Sequence, residues 1–393
     1  MFKSLIAAGS AVTVLLAGAM LAQAADDAAS PAPNTSATPA AATAGTDATT
    51  PASTSGRSAS SATRTRYPLT LTNCGVQVTY RQAPQRAVGL GQNSAEILLL
   101  LGLQDRMVGT AFWPSKVMPS LEKANAQVKR LSTEFPTLES VLSTEPDFVA
   151  AALPSLLGPN SKVAKREDFE RLGVPTYLSP GTCLDTSKSK DAVYGDRAQL
   201  WSTALLYQEI DELSRIFDVA DRGQALIRDL KVREQAIRVT GAERDGQADK
   251  AHDTNPSGKA AKPLSYLFWF SSPSPSADAY LAGKNGASGF IADLLGGRNA
   301  IDTETEWPTL GWEGIIASEP DVIVVARLDR DRWQMDKVEE KIRFLTTDPA
   351  TRQMKAVRNQ AIVVMDGQAM NPSVRTLFGA EEVARQLRDK GLR

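Results

Sequence analysis

Two stretches of this 393-residue chain read almost as one line: Glu139-Ser-Val-Leu-Ser-Thr-Glu-Pro-Asp147-Phe-Val-Ala and Glu313-Gly-Ile-Ile-Ala-Ser-Glu-Pro-Asp321-Val-Ile-Val. Each copy is a short amphipathic helix opened by a glutamate, a Glu-Pro-Asp break and then an apolar strand. That is the helix-to-strand step of an α/β layer. Its repetition predicts two lobes of similar construction, and a two-lobed chain without an evident catalytic triad is most naturally a clamp.

The surrounding pattern agrees. Strands are predicted at Ala87–Leu90, Met107–Ala111, 148–152 and 174–178, with helices over 94–101, 138–143 and 162–172 between them. Alternating strands and helices imply a mostly parallel sheet. A second series follows: a strand at 264–270, helices at 291–296, Trp312–Ala317 and 352–357, strands at 321–326 and 361–365, and a closing helix over 373–387. The fold class is therefore α/β, two similar lobes with a ligand cleft between them. The N-terminal lobe is expected at 67–195, a connecting helix at 196–239 with room for a break around Asp218–Gly223, a polar insert at 240–263 and the C-terminal lobe at 264–393.

The flanks carry other information. Lys3, the apolar run from Leu5 to Leu21 and Ala22-Gln23-Ala24 make residues 1–24 a cleavable secretory signal, with an uncleaved anchor helix as the alternative. No cysteine follows the run, which argues against a lipid anchor. Residues 25–66 are mostly Ala, Thr, Ser and Pro, a composition that cannot offset ordering entropy by burial, and read as a disordered tether. Export places the only two cysteines, Cys74 and Cys183, where a disulfide persists, and a bridge between them is expected. Two free thiols, or thiolates on a soft metal, are the alternatives.

A formal charge of −1 gives no electrostatic reason for nucleic acid or an anionic membrane surface as a partner. The single histidine, His252, sits in the polar insert, so no Ser-His-Asp or Cys-His constellation can be assembled. Gly89-Leu-Gly91-Gln-Asn-Ser94 lacks the third glycine of a dinucleotide fingerprint. No cofactor, no directly bound metal and no enzymatic activity are expected. What the chain does offer is aromatic and cationic side chains at strand ends, where open α/β sheets bind ligands. These are Phe112, Trp113, Trp269, Phe270, Tyr280, Trp307, Arg327, Arg330, Arg332, Trp333 and Arg375. Arginine forks suit carboxylate, catecholate or hydroxamate oxygens, and rings suit a flat or greasy ligand. Glu139 and Glu313 open equivalent helices. Each is either a carboxylate favoured by the helix dipole or one of two acidic knobs on a common face.

Taken together, Pro84-Gln-Arg-Ala-Val-Gly89, Glu96 through Thr110, both Glu-Pro-Asp segments and Ala356-Val-Arg-Asn359 resemble the periplasmic substrate-binding proteins of iron-siderophore and cobalamin ABC importers, in order across roughly residues 70–390. Asn73-Cys74-Gly75 and Tyr177-Leu-Ser-Pro-Gly-Thr-Cys183 look like a subgroup sometimes assigned to a deazaflavin precursor. The resemblance implies two lobes joined by one rigid helix, a small closing motion and a ligand held between the lobes. It also implies docking on an ABC permease, with its ATPase, through one glutamate per lobe, at positions matching Glu139 and Glu313. A monomeric periplasmic protein that carries a metal chelate, a ferric siderophore first, is the expectation. Cobalamin, haem and a deazaflavin precursor are the other cargoes, haem being disfavoured by the want of an axial histidine although tyrosine can serve. A chelatase-like enzyme and a scavenger without a transporter are the other classes. The long tether and the insert depart from the family pattern.

Overall fold

The computed structural model describes residues 64–184, 195–251 and 263–392, with 239–251 as backbone only. The signal segment, most of the tether, His252 and nearly all of the remaining insert lie outside the described residues.

Lobe one opens with an antiparallel hairpin, β1 (Leu69–Asn73) and β2 (Val76–Tyr80). Its two-residue turn, Cys74-Gly75, has positive φ at both positions, 51° and 78°, the twist that such a tight hairpin requires. A parallel five-stranded sheet follows, built from β3 (Ala87–Leu90), β4 (Met107–Ala111), β5 (Arg130–Ser132), β6 (Phe148–Ala151) and β7 (Thr176–Leu178) in the order β5-β4-β3-β6-β7. Helices α1 (Gln92–Leu100), α2 (Glu122–Asn125), α3 (Leu138–Leu142) and α4 (Arg166–Glu170) complete the lobe. Strand alternation sorts the core. Ala87, Phe148 and Ala150 join the cluster that runs on into the rest of the molecule, whereas Val88, Leu90, Val149 and Ala151 face Val141 and Phe169 on the other side. Both faces are covered, as a parallel sheet requires.

The expected single helix over 196–239 is instead two helices, α5 (Thr203–Ile216) and α6 (Ala220–Ala251), broken at 217–219 where Asp218 takes φ 57°. They form an antiparallel hairpin. Thr203 Oγ1 and Tyr207 OH on α5 donate to Glu234 Oε2 on α6 at 2.7 and 2.9 Å, and Gln224 Nε2 reaches back to Asp211 Oδ1 at 2.9 Å. Gly223 sits at the tightest approach, where a Cβ would come within 2.2 Å of Ser214 Oγ. Helix α5 is bound to lobe one, through Tyr177 OH to Glu212 Oε2 at 2.7 Å, and α6 to lobe two, through Arg233 to Glu381 at 2.9 Å. The backbone of α6 continues to Ala251, so helix replaces loop over the first part of the expected insert. Upstream, residues 195–202 are not helical. Asp196 bridges to Thr305, and Arg197 forms a buried ion pair with Glu306 at 2.7 Å.

Lobe two holds β8 (Ser265–Ser271), β9 (Ala279–Leu281), β10 (Arg298–Asn299), β11 (Thr309–Leu310), β12 (Val322–Arg327) and β13 (Ile362–Asp366) in the order β11-β9-β8-β12-β13, with β10 beside the start of β8. Strands β8, β12 and β13 run parallel, and β9 turns the edge antiparallel. The helices are α7 (Ala287–Leu294), α8 (Trp312–Ala317), α9 (Val338–Thr347), α10 (Lys355–Arg358) and α11 (Arg375–Asp389).

The end of the expected tether is not free. Thr65 N donates to Asp218 Oδ1 at 2.7 Å, Thr65 Oγ1 to the Arg215 carbonyl at 2.8 Å and Tyr67 OH to the Ile216 carbonyl at 2.6 Å. The chain is thereby pinned to the α5–α6 turn.

Between the lobes, Asn93 on α1 donates to Glu209 on α5 at 3.2 Å and accepts from Val374 N of lobe two at 2.8 Å, while Ser179 Oγ donates to Glu209 at 2.6 Å. Complete burial, aided by the charge of Glu212 and opposed by these hydrogen bonds, pushes the Glu209 carboxyl up to about 7. The folded state therefore holds this proton more tightly than the unfolded chain. Its contribution is full below the unfolded value and is lost as pH rises through about 7. Glu209→Gln should remove that dependence. In urea titrations, the variant's stability relative to the parent should grow by about 2–3 kcal/mol between pH 4.5 and pH 8. A pH-independent difference would contradict the assignment.

Candidate ligand cleft

In a parallel sheet the C-terminal strand ends face the same way, and the loops that leave them define a crevice. From lobe one, Phe112 and Pro114 follow β4, Phe135 follows β5 and Leu153 follows β6, with Lys162 further along. From lobe two come Phe270 on β8, Tyr280 on β9, Trp307 just before β11, Arg330, Arg332 and Trp333 after β12, and Asn371 after β13. Together they enclose a cavity of about 320 Å³. The lobes also touch directly beside it. Asp329 N donates to the Pro114 carbonyl at 2.9 Å and Lys116 N to Asp329 Oδ2 at 2.8 Å.

The rings are arranged in pairs. Phe112 and Phe135 lie 4.6 Å apart, Phe270 and Trp307 meet edge to face at 5.1 Å, and Tyr280 stacks on Trp333 at 5.0 Å. Phe112 reaches its place with φ 64°, a left-handed conformation rarely taken by a bulky residue and typical of strained binding positions. The cations rest on those rings: Lys162 Nζ is 4.8 Å from Phe135, Arg332 4.8 Å from Trp333, and Arg330 5.2 Å from Phe270 and 5.4 Å from Trp333. Among the described residues no carboxylate lines the cavity. Arg330 is balanced from beneath by Asp336, and the other two cations, Lys162 and Arg332, favour a negatively charged guest. Among the described residues no group of three or more His, Cys, Asp or Glu side chains could hold a metal ion.

Beneath the cleft, Arg330 pairs with the fully buried Asp336 at 3.2 Å. Lys341, also fully buried, donates to the carbonyls of Phe270 and Ala326, both at 2.6 Å. Burial pushes the Lys341 ammonium down to about 7, against the attraction of Asp336 and with the repulsion of Arg330.

The structure thus gathers Phe112, Tyr280, Trp307 and Arg332 around one cavity with Phe270, Arg330 and Trp333. It places Trp113, Trp269, Arg327 and Arg375 elsewhere. Trp113 is 3% exposed, turned into lobe one with Arg130 over its ring at 5.1 Å. Trp269 is fully buried against Trp312 and Phe344 on the face of β8 opposite Phe270. Arg327 lies on the outside, paired with Glu382 at 3.1 Å. Arg375 is buried in ion pairs with Glu96 and Asp366. Phe135, Pro114, Leu153, Lys162 and Asn371 were not foreseen. Phe135 and Asn371 follow strand ends and were findable by the same rule, but β5 has only three residues and gives no strand signal.

Glu139 and Glu313 are exposed, each in the first turn of its helix. Because α3 and α8 return the chain to the start of the next strand, their N-termini lie at the same strand-end edge as the cleft, one per lobe. Among the described residues neither carboxylate has an ion-pair partner. Cys74 and Cys183 are bonded, with Cα atoms 5.3 Å apart, and join the β1–β2 turn to the segment after β7.

Comparison with known proteins comes from three directions. A profile of the family described as "Periplasmic binding protein" matches residues 88–369. An uncharacterised ABC transporter substrate-binding lipoprotein of Bacillus subtilis (strain 168) is 22% identical over 292 residues, 72% of this chain and 79% of the relative. Among solved structures, an ABC-type Fe3+-hydroxamate transport system protein from Saccharomonospora viridis superposes with a TM-score of 0.63 at 21% identity, covering 82% of this chain and 99% of its own. A periplasmic haem-binding protein from Pseudomonas aeruginosa gives a TM-score of 0.55 at 18% identity, with coverage of 77% and 92%.

Proposed function

This chain belongs to the periplasmic binding protein family and is a substrate-binding protein of an ABC transporter, and from that premise we propose that its cargo is an anionic metal chelate, a ferric siderophore. The observation that carries the reading is the cleft itself. Paired rings give a hydrophobic seat, three cations stand on those rings, and two of them, Lys162 and Arg332, have no carboxylate partner among the described residues, Arg330 being paired with Asp336 from beneath. A catecholate-type ferric chelate fits this chemistry, because its rings match the aromatic pairs and its negative oxygens the guanidinium forks. The iron is then held by the chelator, in keeping with a cleft that offers no cluster of metal donors. The Fe3+-hydroxamate and haem proteins of similar fold are consistent with an iron cargo.

Export by residues 1–24 and delivery through Glu139 and Glu313 complete the proposal. Each exposed pair with a permease arginine is worth at most about 1 kcal/mol, so the two contacts serve orientation and encounter rate more than affinity. The lobes are taken as 67–195 and 264–393, with α5 and α6 between them.

One experiment tests both halves. A ferric tricatecholate should quench intrinsic fluorescence with sub-micromolar affinity, and Trp307→Ala should weaken binding at least about tenfold, given the contribution of a buried ring. Hemin, cyanocobalamin or a deazaflavin binding more tightly would replace the siderophore assignment. Glu139→Ala/Glu313→Ala should bind the chelate as the parent does yet fail to support its uptake by cells lacking the native copy. Normal uptake would remove the docking assignment.

A further inference from the structure

We propose that Asp336, which does not line the cleft, is a positioning residue that gives the cleft its preference for an anionic cargo; this rests on reading the cleft as the cargo site. Asp336 closes the single helical turn after the Arg330–Trp333 loop and is fully buried. Its carboxylate is the common anchor of four groups. Oδ2 accepts from the backbone N–H of Arg332 at 3.1 Å and of Trp333 at 3.0 Å, and lies 3.2 Å from Arg330 Nε. Oδ1 accepts from Arg330 Nη2 at 3.3 Å and from Ser271 Oγ, next to Phe270, at 2.5 Å. One side chain thereby fixes the backbone of two consecutive cleft residues, the guanidinium of a third and the strand end that carries a fourth.

The consequence is a flat, fixed Arg330. Its guanidinium is held on one edge by Asp336 and over the rings of Phe270 and Trp333, at 5.2 and 5.4 Å. Its side chain is 9% exposed, and Nη1 makes no hydrogen bond among the described residues. Without the carboxylate, a guanidinium on a long, flexible stem would sample many rotamers and lose ordering entropy on each binding event. With it, the fork is set before the ligand arrives, and charge-assisted hydrogen bonds form at little entropic cost. Asp336 balances Arg330 beneath the cleft, so the positive charge that an incoming anion completes is that of Arg332 and Lys162 beside the fixed fork. A neutral ligand of equal size uses the rings but not this field.

The test separates positioning from cargo. Asp336→Asn keeps the size and one acceptor but removes the charge, and Asp336→Glu restores the charge. Affinities are measured for a ferric tricatecholate and for a neutral ferric trihydroxamate of similar size. In parallel, the ligand-free protein is labelled with 5-fluorotryptophan, and the Trp333 resonance is assigned with Trp333→Phe. Asp336→Asn should shift the Trp333 signal, weaken the tricatecholate about tenfold or more and the trihydroxamate less than about threefold, with Asp336→Glu recovering part of the difference. Equal weakening of both chelates would reduce Asp336 to a structural role and overturn the proposal. An unmoved Trp333 resonance would overturn it whatever the cargo. A parent protein that binds neither chelate would defeat the siderophore reading, while the fluorine signal would still decide whether Asp336 sets the loop.

Discussion

Replacing Arg375 with alanine should lower the stability of the protein by about 3–5 kcal/mol, the range expected when one partner of a buried ion pair is removed. Arg375 reaches from the start of α11 into the seam between the lobes. Its Nε donates to Glu96 Oε2 at 2.7 Å, Nη1 to Asp366 Oδ2 at 2.6 Å, and Nη2 to the Lys116 carbonyl at 2.5 Å and to Glu96 Oε1. Glu96 on α1 is fully buried, and its other donors are Gln92 Nε2 at 3.2 Å and Met118 N at 3.1 Å. Truncation would strand its negative charge in a dry site. The exposed Arg233–Glu381 pair, by contrast, is worth at most about 1 kcal/mol, because water and salt screen it. Urea unfolding followed by tryptophan fluorescence reads the difference. The double variant Glu96→Gln/Arg375→Met should recover much of the loss, since the fully buried Glu96 charge is then no longer orphaned, while the partly exposed Asp366 still lacks its partner and keeps the recovery incomplete. A single-variant cost below about 1 kcal/mol would contradict this account.

The second large effect is expected at the disulfide. Cys74 and Cys183 are 109 positions apart, and closing a loop of that length removes unfolded-chain entropy worth roughly 4.7 kcal/mol in the chain-entropy treatment. The hairpin does not depend on the bridge alone for its seat. Arg166 donates to Asn73 O and Oδ1, both at 2.9 Å, Asn73 Nδ2 donates to the Leu178 carbonyl at 2.8 Å, and Tyr80 OH donates to the Thr176 carbonyl at 3.1 Å. The native arrangement should therefore survive Cys74→Ser/Cys183→Ser, and the cost should fall on the unfolded side of the equilibrium. Stability should drop by about 3–4 kcal/mol, the urea m-value should rise as the unfolded chain expands, and chelate affinity should change less than about threefold. Loss of binding in parallel with loss of stability would show instead that the bridge shapes the cleft.

How legible these features were in the sequence follows their physical origin. Ala87–Leu90, Met107–Ala111 and Trp312–Ala317 were read to the residue, because each is a short, mostly apolar segment whose start is marked by Arg86, Arg106 or Gly311. Helix α9 was missed because Lys341 occupies a buried position between Val338 and Leu345, where the helical period asks for an apolar side chain. Its ammonium is accommodated by the carbonyls of Phe270 and Ala326, which no local window contains. The strand-end rule gathered the right region but not the right side chains. Strand β8 is covered on both faces, so nothing in its run of apolar residues tells whether Trp269 or Phe270 turns to the cleft. Arg375 was legible as a cation at a helix start, but its partner Glu96 lies 279 positions earlier and only the fold brings the two together. The break in the connector falls at Asp218, at the start of the 218–223 window where the sequence already allowed one, and rests on that one left-handed residue.

That break has a mechanical meaning. The chain enters the folded body at Thr65 and Tyr67, which are bound to the α5–α6 turn. Arg222, just beyond the turn, holds the carbonyls that end α1, at the sheet edge opposite the cleft. Tension or drag transmitted along the N-terminal segment is thus applied at the rear of the molecule, on the element common to both halves. A load applied there meets the α5–α6 turn before it reaches the hairpin or the cleft. The point of attachment for whatever precedes Thr65 is thus the connector and not the rim of the cleft.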